Sequence, residues 1–242
     1  MLNSKEFATI KKYSGQHPDK QEASIVFMND GYCPLDVDGF PVENLNIPAD
    51  YKMWRYQVSM YKKVLELAGI KENCGKLLEV SCGYGAGLSF IERYYNYDEL
   101  YGLDINPIHI KHCKYHFSNI NFITGSATNI PINDIQFDFI ISIEACSYYN
   151  PITLFLKECN RLLKDDGVLI IASASIPEQL PFEVSKLEIL ETVDISKNVH
   201  IASAISKYNV PLKSCRETIH NDQYNLFFAS KPYVINAYRK KF

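Results

Sequence analysis

Between residues 76 and 173 the chain alternates short apolar runs with stretches that have the spacing of amphipathic helices. Strands that are joined through helices pair in parallel, because each helix carries the chain back to the start of the next strand. The alternation therefore predicts an α/β fold, a mostly parallel sheet with helices on both faces. The predicted strands are 76–81, 99–104, 120–124, 136–143 and 167–173, and the predicted helices between them are 86–95, 107–117 and 151–164.

The flanking segments predict a cap before this unit and further sheet after it. Residues 51–70 carry one apolar helical stripe, which ends near a capping glycine, Gly69. Residues 1–50 are polar and proline-punctuated, with helical pieces expected near 3–13 and 19–28. We therefore expect a helical cap or lid over residues 1–70, in the same globular unit as a main domain at 71–242. Beyond Pro181, a strand at 186–193, a helix at 196–208 and a β-rich tail containing PYVINAYRKK are predicted.

Composition excludes several classes of partner. A net charge of −3 over 242 residues gives no excess that would attract nucleic acid. The seven cysteines are scattered, and several lie in apolar strands or helices, which indicates reduced thiols in a cytoplasm. The N-terminus lacks a signal-peptide pattern, and no apolar run approaches the ~20 residues of a membrane helix. We expect a cytoplasmic protein that does not insert into membranes.

The stretch LLEVSCGYGAG at 77–87 predicts a nucleotide-cofactor site. It is a strand that runs into Gly83, Gly85 and Gly87, and glycine permits the tight turn and close ligand approach that such a site needs. Asp104 ends the next strand, where its carboxylate can accept hydrogen bonds from both hydroxyls of a ribose. Glu79 favours an ammonium group over a pyrophosphate, which it would repel. The dinucleotide pattern GxGxxG is not met, which leaves a dehydrogenase as a remote alternative.

These residues resemble the class I S-adenosylmethionine-dependent methyltransferases. GSATNIPIND, FDFIISIEACSYYN and FLKECNRLLKDDGVLIIAS resemble that family's later turns, strands and helix. More narrowly, LLEVSCGYGAG, GLDINPIHIKHC, IEACSYY, VDISKNVHIASAI and the MNDGY turn at 28–32 resemble phthiotriolone-type polyketide and glycolipid O-methyltransferases. The resemblance implies a Rossmann-like sheet of seven strands, closed at its edge by an antiparallel strand near 232–240, and a helical cap over an acceptor pocket.

The resemblance also implies a set of cofactor contacts. Glu79 would hold the methionine amino group, the glycines would pass beneath the cofactor, and Asp104 would bind the ribose. Ser126 stands where the family usually has an acidic residue, so adenine binding is expected to depend more on the backbone N–H of Ala127. The complete set is Glu79, Ser81, Gly83, Gly85, Gly87, Asp104, Ile105, Asn106, Ser126, Ala127 and Glu144. The implied cofactor is S-adenosyl-L-methionine, with S-adenosyl-L-homocysteine as its product.

Catalysis is less well specified by the sequence. Ser147 stands where the similar enzymes tend to have a histidine base, and a serine hydroxyl has the wrong pKa for that role. Three interpretations stay open: a base from elsewhere, an acceptor acidic enough to need none, or a protein that uses the cofactor for another purpose. His200, Tyr149 and Ser147 are the candidate catalytic residues, although a surface histidine is the simpler explanation of His200.

Candidate substrate contacts are Tyr32, Trp54, Tyr148 and Tyr149. Trp54 is more simply part of the core stripe, and core packing explains at least one of Tyr148 and Tyr149 equally well. His109, His112 and His116 have helical spacing, but the third ligand that zinc needs is not evident, so a solvated helix face and no metal are expected. The sequence predicts methylation, most simply of an oxygen, on a small natural product or lipid-like acceptor. The alternatives are N- or C-methylation and a non-methylating cyclisation or rearrangement. The oligomeric state is open, a homodimer being one possibility.

Overall fold

The structure is a computed structural model, and it describes Ala8, Ile10, Lys11 and residues 25–69, 75–174, 186–208 and 232–241. Of the predicted N-terminal helices, the described residues 8, 10 and 11 are helical, and the rest of 3–13 and residues 19–24 lie outside the described part. Residues 25–28 belong to no helix. The prediction of a helix over 19–28 is therefore wrong at its carboxyl end, where Val26, Phe27 and Met28 instead line the cavity described below.

Seven strands form one sheet in the order β3-β2-β1-β4-β5-β7-β6. The strands are β1 Lys76–Val80, β2 Glu99–Asp104, β3 Asn121–Thr124, β4 Phe137–Ile143, β5 Leu163–Ala174, β6 Leu187–Asp194 and β7 Tyr233–Lys240. The described α-helices over three residues long are α1 Arg55–Leu67, α2 Ala86–Tyr94, α3 Pro107–His116, α4 Ile152–Leu162 and α5 Ser196–Tyr208. Short 3₁₀ segments cover Ala49–Trp54 and Cys146–Tyr148.

The first five strands are parallel, as the alternating pattern predicts, and the predicted fold class is confirmed. One detail is wrong: the strand predicted at 232–240 to close the edge lies inside the sheet. It is β7, and it pairs antiparallel with β5 on one side and with β6 on the other, which makes β6 the edge strand. The central position fits the side chains of β7, of which Ile235, Ala237 and Tyr238 are almost completely buried.

Both faces of the sheet are buried. Leu77 and Ile141 belong to one apolar core, whereas their chain neighbours Leu78 and Ile140 belong to the other. This follows from the period of two in a strand, which points successive side chains to opposite faces. The first core includes residues of α1, α2 and α3, and the second includes residues of α4.

Local signals set the helix that follows β2. The side chain of Asn106 accepts a hydrogen bond from the backbone N–H of Ile108 at 3.0 Å, and Pro107 is the first residue of α3. Asparagine satisfies a helix donor that has no partner within the helix, and proline lacks the N–H that would need one. The chain therefore turns into α3 directly after Asp104, which leaves that carboxylate at the edge of the sheet formed by the carboxyl ends of the strands.

Candidate cofactor and acceptor site

The carboxyl ends of β1, β2 and β4 meet at one edge of the sheet and surround a cavity. Ligands of open α/β sheets bind at this edge, where the connections diverge. All the predicted cofactor contacts except Gly85 line the cavity: Glu79, Ser81, Gly83, Gly87, Asp104, Ile105, Asn106, Ser126, Ala127 and Glu144. The fold thus brings together residues that are up to 65 positions apart in the sequence, Glu79 to Glu144.

Glu79 is a buried carboxylate with one satisfied oxygen. Tyr61 on α1 donates a hydrogen bond of 2.6 Å to its Oε1. Its Oε2 is buried and has no hydrogen-bond partner among the described residues. Burial chiefly raises the pKa of Glu79 to about 8, Asp104 adds to the rise, and the Tyr61 hydrogen bond opposes it. An unsatisfied carboxylate oxygen in a cavity wall fits an ammonium group, whose charge and N–H donors would satisfy it.

The three glycines do different things. Gly83 has φ +55, and its N–H donates to Oδ2 of Asp104 at 2.9 Å, which fixes the loop to β2. Gly85 has φ +76 and packs against Cys113 and Phe122 below the loop, away from the cavity lining. A Cβ on Gly87 would lie 1.9 Å from Cζ of Tyr61. Packing within the protein thus accounts for the missing side chain at Gly87, and the roles expected of Gly85 and Gly87 beneath the cofactor stay predictions.

Asp104 is held rigidly but retains acceptor capacity. Its Oδ2 accepts from Gly83, and its Oδ1 accepts from the backbone N–H of Asn106 at 2.8 Å. Nδ1 of His109 lies 3.2 Å from the same Oδ1. A carboxylate offers about four acceptor positions, so at least one remains for a ribose hydroxyl. The side chain of Asn106 caps α3 and contacts Nε2 of His109 at 3.2 Å.

His109 is a site residue that the sequence reasoning missed. The expectation of a solvated face is wrong for it, because its side chain is buried and packs on Tyr84 with ring centroids 4.4 Å apart. The available signal was its position in the first turn of α3, which points its side chain back toward the end of β2. His109 orients Asp104 and also lines the cavity.

The turn after β3 carries Ser126 and Ala127. Oγ of Ser126 lies 2.9 Å from Oγ1 of Thr128 and accepts from the Thr128 backbone N–H at 3.2 Å. The serine therefore stabilises its own turn, while Ala127 is buried in the wall of the cavity. That the Ala127 backbone carries more of the adenine recognition than the Ser126 side chain stays a prediction.

The segment with the MNDGY turn closes one side of the cavity. The backbone N–H of Asp30 donates to Oε1 of Glu144 at 2.7 Å, and that of Tyr32 donates to the Tyr56 carbonyl at 2.8 Å. Gly31 has φ +90, and a Cβ there would lie 2.8 Å from Cβ of Tyr56, so glycine is required for this close approach. Val26, Phe27 and Met28, just before the turn, give the cavity an apolar wall.

Neither Ser147 nor Tyr149, the candidate catalytic residues after β4, is placed to act as a general base. The Tyr149 hydroxyl lies 2.9 Å from Oγ of Ser81 and 2.9 Å from Oγ of Ser142. Burial raises its pKa far above the usual value for tyrosine, which disfavours the phenolate that a base requires. Ser147 is exposed and does not belong to the described lining, whereas Tyr148 does. Tyr149 is thus placed to hold Ser81, a serine at φ +64 that joins β1 to the glycine loop.

The remaining candidates lie outside the described cavity lining. Trp54 packs behind the wall, with its ring centroid 5.7 Å from that of Phe27. Tyr32 borders a separate groove on the outer side of α1. His200, on α5, is half-buried, and burial lowers its pKa despite the opposing charges of Asp194 and Asp30. None of these three residues is among those that line the described cavity.

Comparison with known proteins identifies the class. Residues 78–171, from β1 to β5, match the family model described as "Methyltransferase domain". The fold matches the geranyl diphosphate C-methyltransferase of Streptomyces coelicolor A3(2), crystallised with S-adenosyl-L-homocysteine, at a TM-score of 0.69, 12% identity and 99% coverage of each chain. It also matches the [4+2]-cyclase SpnF at a TM-score of 0.63 and 14% identity, covering 98% of this chain and 94% of that one. Residues 78–171 are therefore similar to a methyltransferase domain, and the fold is the class I methyltransferase fold.

Curated relatives narrow the resemblance at modest identity. The chain is 31% identical over 153 residues to a probable phthiotriol/phenolphthiotriol dimycocerosates methyltransferase of Mycobacterium ulcerans, covering 61% of this chain and 55% of that protein. It is 26% identical over 163 residues to a fatty-acid O-methyltransferase of Mycolicibacterium smegmatis, covering 66% and 57%. The matched part thus spans little more than half the length of these relatives. The predicted similarity to phthiotriol-type methyltransferases is confirmed.

Proposed function

We propose that this chain transfers the methyl group of S-adenosylmethionine to an oxygen of a small natural product or lipid-like acceptor. The observation that carries the proposal is the unsatisfied Oε2 of Glu79, buried in the wall of a cavity that also holds Asp104 and the glycine loop. The names of the relatives, which act on phthiotriol lipids and fatty acids, support an acceptor of this class. The apolar wall of Val26, Phe27 and Met28 supports it as well.

The cofactor contacts named from the sequence have separable tasks under this proposal. Glu79 would hold the amino group and Asp104 a ribose hydroxyl, while the Ala127 backbone would meet the adenine. When bound, S-adenosylmethionine supplies a methyl group already activated by positively charged sulfur. The chain's own contribution is then alignment of the acceptor and exclusion of water, and proximity of this kind is worth up to about 7–11 kcal/mol.

The arrangement of the candidate catalytic residues supports an acceptor that ionises without help. Among the described residues that line it, the histidine is His109, which is committed to Asp104 and Asn106. Tyr149 is committed to Ser81 and Ser142, and neither Ser147 nor His200 belongs to the described lining. We therefore propose an acceptor oxygen of low pKa, such as a carboxylate, an enol or an acidic phenol, because it carries its lone pair to the methyl carbon already deprotonated.

Two measurements test the proposal. Titration calorimetry with S-adenosylhomocysteine checks the cofactor site, and absence of binding by the folded chain would reject it. Incubation with methyl-labelled S-adenosylmethionine and matched sets of fatty acids, phenols and secondary alcohols then checks the acceptor. We expect label in carboxylic esters or phenol ethers, and label in the alcohols alone would reject the acidic acceptor.

The same incubation decides between the proposed reaction and its alternatives. A cyclisation or rearrangement binds the cofactor and transfers no label, and C-methylation gives products that resist both ester hydrolysis and ether cleavage. A set of amines added to the same incubation detects N-methylation. The fold itself does not decide, since the same architecture occurs in SpnF, which is described as a cyclase.

We also propose that the protein is cytoplasmic. No helix in the described part of the chain is long and apolar enough to cross a membrane. The described cysteines, Cys33, Cys82, Cys113, Cys146 and Cys159, are buried free thiols, which supports the proposed cytoplasmic location. A small-molecule acceptor is the proposed partner.

A further inference from the structure

Tyr61 connects helix α1 to Glu79, the carboxylate that is predicted to bind the cofactor. Its hydroxyl donates the 2.6 Å hydrogen bond to Oε1 of Glu79, and its side chain is almost completely buried. Glu79 and Leu77 lie two positions apart on β1, so both point to the face of the sheet that α1 covers. Tyr61 therefore reaches the carboxylate from outside the segment that matches the methyltransferase model, which begins at residue 78.

The ring of Tyr61 occupies the space that a side chain at position 87 would need. A Cβ on Gly87 would lie 1.9 Å from Cζ and 2.1 Å from the hydroxyl oxygen of Tyr61. Gly87 lies within α2 and is not among the glycines with positive φ. The absence of a side chain at position 87 therefore serves the approach of the Tyr61 ring, not an unusual backbone conformation.

We propose that Tyr61 is a positioning residue, which holds Glu79 by one oxygen so that the other faces the cavity as a receptor for a ligand ammonium group, with Gly87 as the residue that admits its ring. The inference rests on the proposed function, because the ligand is the amino-acid end of the cofactor. It assigns to the third glycine of the loop a role in placing a carboxylate, in addition to its place in the cavity wall.

Because charged groups surround Glu79, the proposal predicts that ligand affinity depends on pH. The groups that face it are Tyr61 on α1, Asp104 on β2 and Cys82 after β1, and Glu144 at the end of β4 acts on Tyr61 itself. Burial raises the pKa of Glu79 to about 8, and the Tyr61 hydrogen bond is the one contribution among those named that lowers it. Loss of the hydroxyl therefore raises this pKa further, and less of the carboxylate is ionised at neutral pH.

The experiment measures S-adenosylhomocysteine affinity by calorimetry from pH 6 to 8.5 in three proteins. For the unaltered chain we expect affinity to increase with pH as Glu79 ionises. In Tyr61→Phe, affinity at pH 7 should be about tenfold lower, equivalent to a rise of about one pKa unit, and its increase should move to higher pH. The control is Tyr51→Phe, a fully buried tyrosine of the same core whose hydroxyl lies 3.5 Å from Oγ of Ser89. It should match the unaltered chain.

The outcomes separate the inference from the function on which it rests. If the unaltered chain does not bind S-adenosylhomocysteine, the proposed function fails. If it binds and Tyr61→Phe has the same affinity and pH profile, the positioning role alone is overturned. Titration of the glutamate carboxyl carbons by NMR without ligand gives an independent measure, and the Glu79 signal should titrate at higher pH in Tyr61→Phe than in Tyr51→Phe.

A double-mutant cycle tests the role of Gly87 and does not require Tyr61→Phe to fold. Gly87→Ala should displace the ring and weaken S-adenosylhomocysteine binding at least tenfold. In a Tyr61→Leu background, where the ring is absent, the same substitution should cost less than threefold. Equal costs in both backgrounds would show that position 87 acts on the ligand directly and would overturn the proposed coupling.

Discussion

The ends of β1 and β2 and the end of β4 line the same cavity but are built differently. At the first two, Glu79 and Asp104 are buried carboxylates with acceptor capacity left over. At the third, the Tyr149 hydroxyl and its serine partners satisfy one another. A buried acceptor oxygen without a hydrogen-bond partner indicates a site for a ligand. Hydroxyl groups that hydrogen-bond to one another instead stabilise the protein's own structure. Under the proposed function, Glu79 and Asp104 would therefore bind the ligand, whereas Tyr149 would support the structure of the site.

The largest effect on cofactor affinity is expected at Asp104. Asp104→Ala removes the proposed acceptor for the ribose and releases the loop at Gly83, because Oδ2 no longer accepts from its N–H. Hydrogen bonds to charged groups are worth about 1.5–3 kcal/mol each, so cofactor affinity should fall at least about 100-fold. Calorimetry with S-adenosylhomocysteine measures the loss.

Asp138→Ala is the matched control for that substitution. Asp138 also accepts a backbone hydrogen bond, from Lys76 at 2.8 Å, and it pairs with Lys164, but it is outside the described cavity lining. It should reduce the free energy of unfolding and leave cofactor affinity within about twofold. Unchanged affinity in Asp104→Ala would place the ligand elsewhere.

Glu79→Gln should separate binding from stability. The folded-state pKa of Glu79, about 8, lies above the usual value of 4.5, so the carboxyl stabilises the ligand-free protein below the usual value and this stability is lost as pH rises through 8. The glutamine variant should therefore have a higher free energy of unfolding than the unaltered chain at pH 9, by on the order of 1–3 kcal/mol, and nearly the same one at pH 5. Its S-adenosylhomocysteine affinity at pH 8.5 should fall at least about tenfold.

Urea denaturation at both pH values measures the stability of that variant. Glu66→Gln, which removes an exposed carboxylate on α1 paired with Lys63, is the control and should show no such difference between the two pH values. A Glu79→Gln protein that is less stable at pH 9 would mean that the carboxylate is satisfied within the ligand-free protein.

A smaller effect is expected at Tyr149, which under our interpretation positions Ser81 and does not act as a base. Tyr149→Phe deprives Oγ of Ser81 and Ser142 of a partner, so the free energy of unfolding should fall by about 1–2 kcal/mol and cofactor affinity by a few fold. The rate constant of the bound complex should change little. A base would behave in the opposite way, with a loss of about 10²–10⁴-fold in that rate constant at unchanged affinity. Single-turnover kinetics with saturating cofactor distinguish the two results.

The smallest effect is expected at Ser147. Because its side chain is exposed and is not part of the described lining, Ser147→His should leave the methylation rate within about twofold. Acceleration of 10²-fold or so would instead reveal an acceptor that lacks only a base. Ser203→His, on α5, introduces the same residue elsewhere and controls for unspecific effects of a histidine.

The local sequence signals were good guides to the elements. Asn106 and Pro107 predict the start of α3, the alternation of apolar residues predicts each described strand from β1 to β5 within a few residues, and Glu79 and Asp104 are predicted from their places at strand ends. Such signals are contained within a few neighbouring residues, because backbone preference, capping and side-chain period are local properties.

What escaped prediction depends on which distant surfaces pack together. The sequence placed β7 at the edge, but pairing with both β5 and β6 placed it inside. Tyr61 is buried in the core, as the apolar stripe over residues 51–70 predicts, but the sequence did not show that its hydroxyl would reach Glu79. His109 was assigned to solvent, but the packing of α3 brought it to Asp104. The sequence by itself determined the class of the fold and indicated Glu79 and Asp104, which both line the cavity. The tertiary structure alone decided how those carboxylates are held, because a hydrogen bond between residues 18 positions apart has no local pattern.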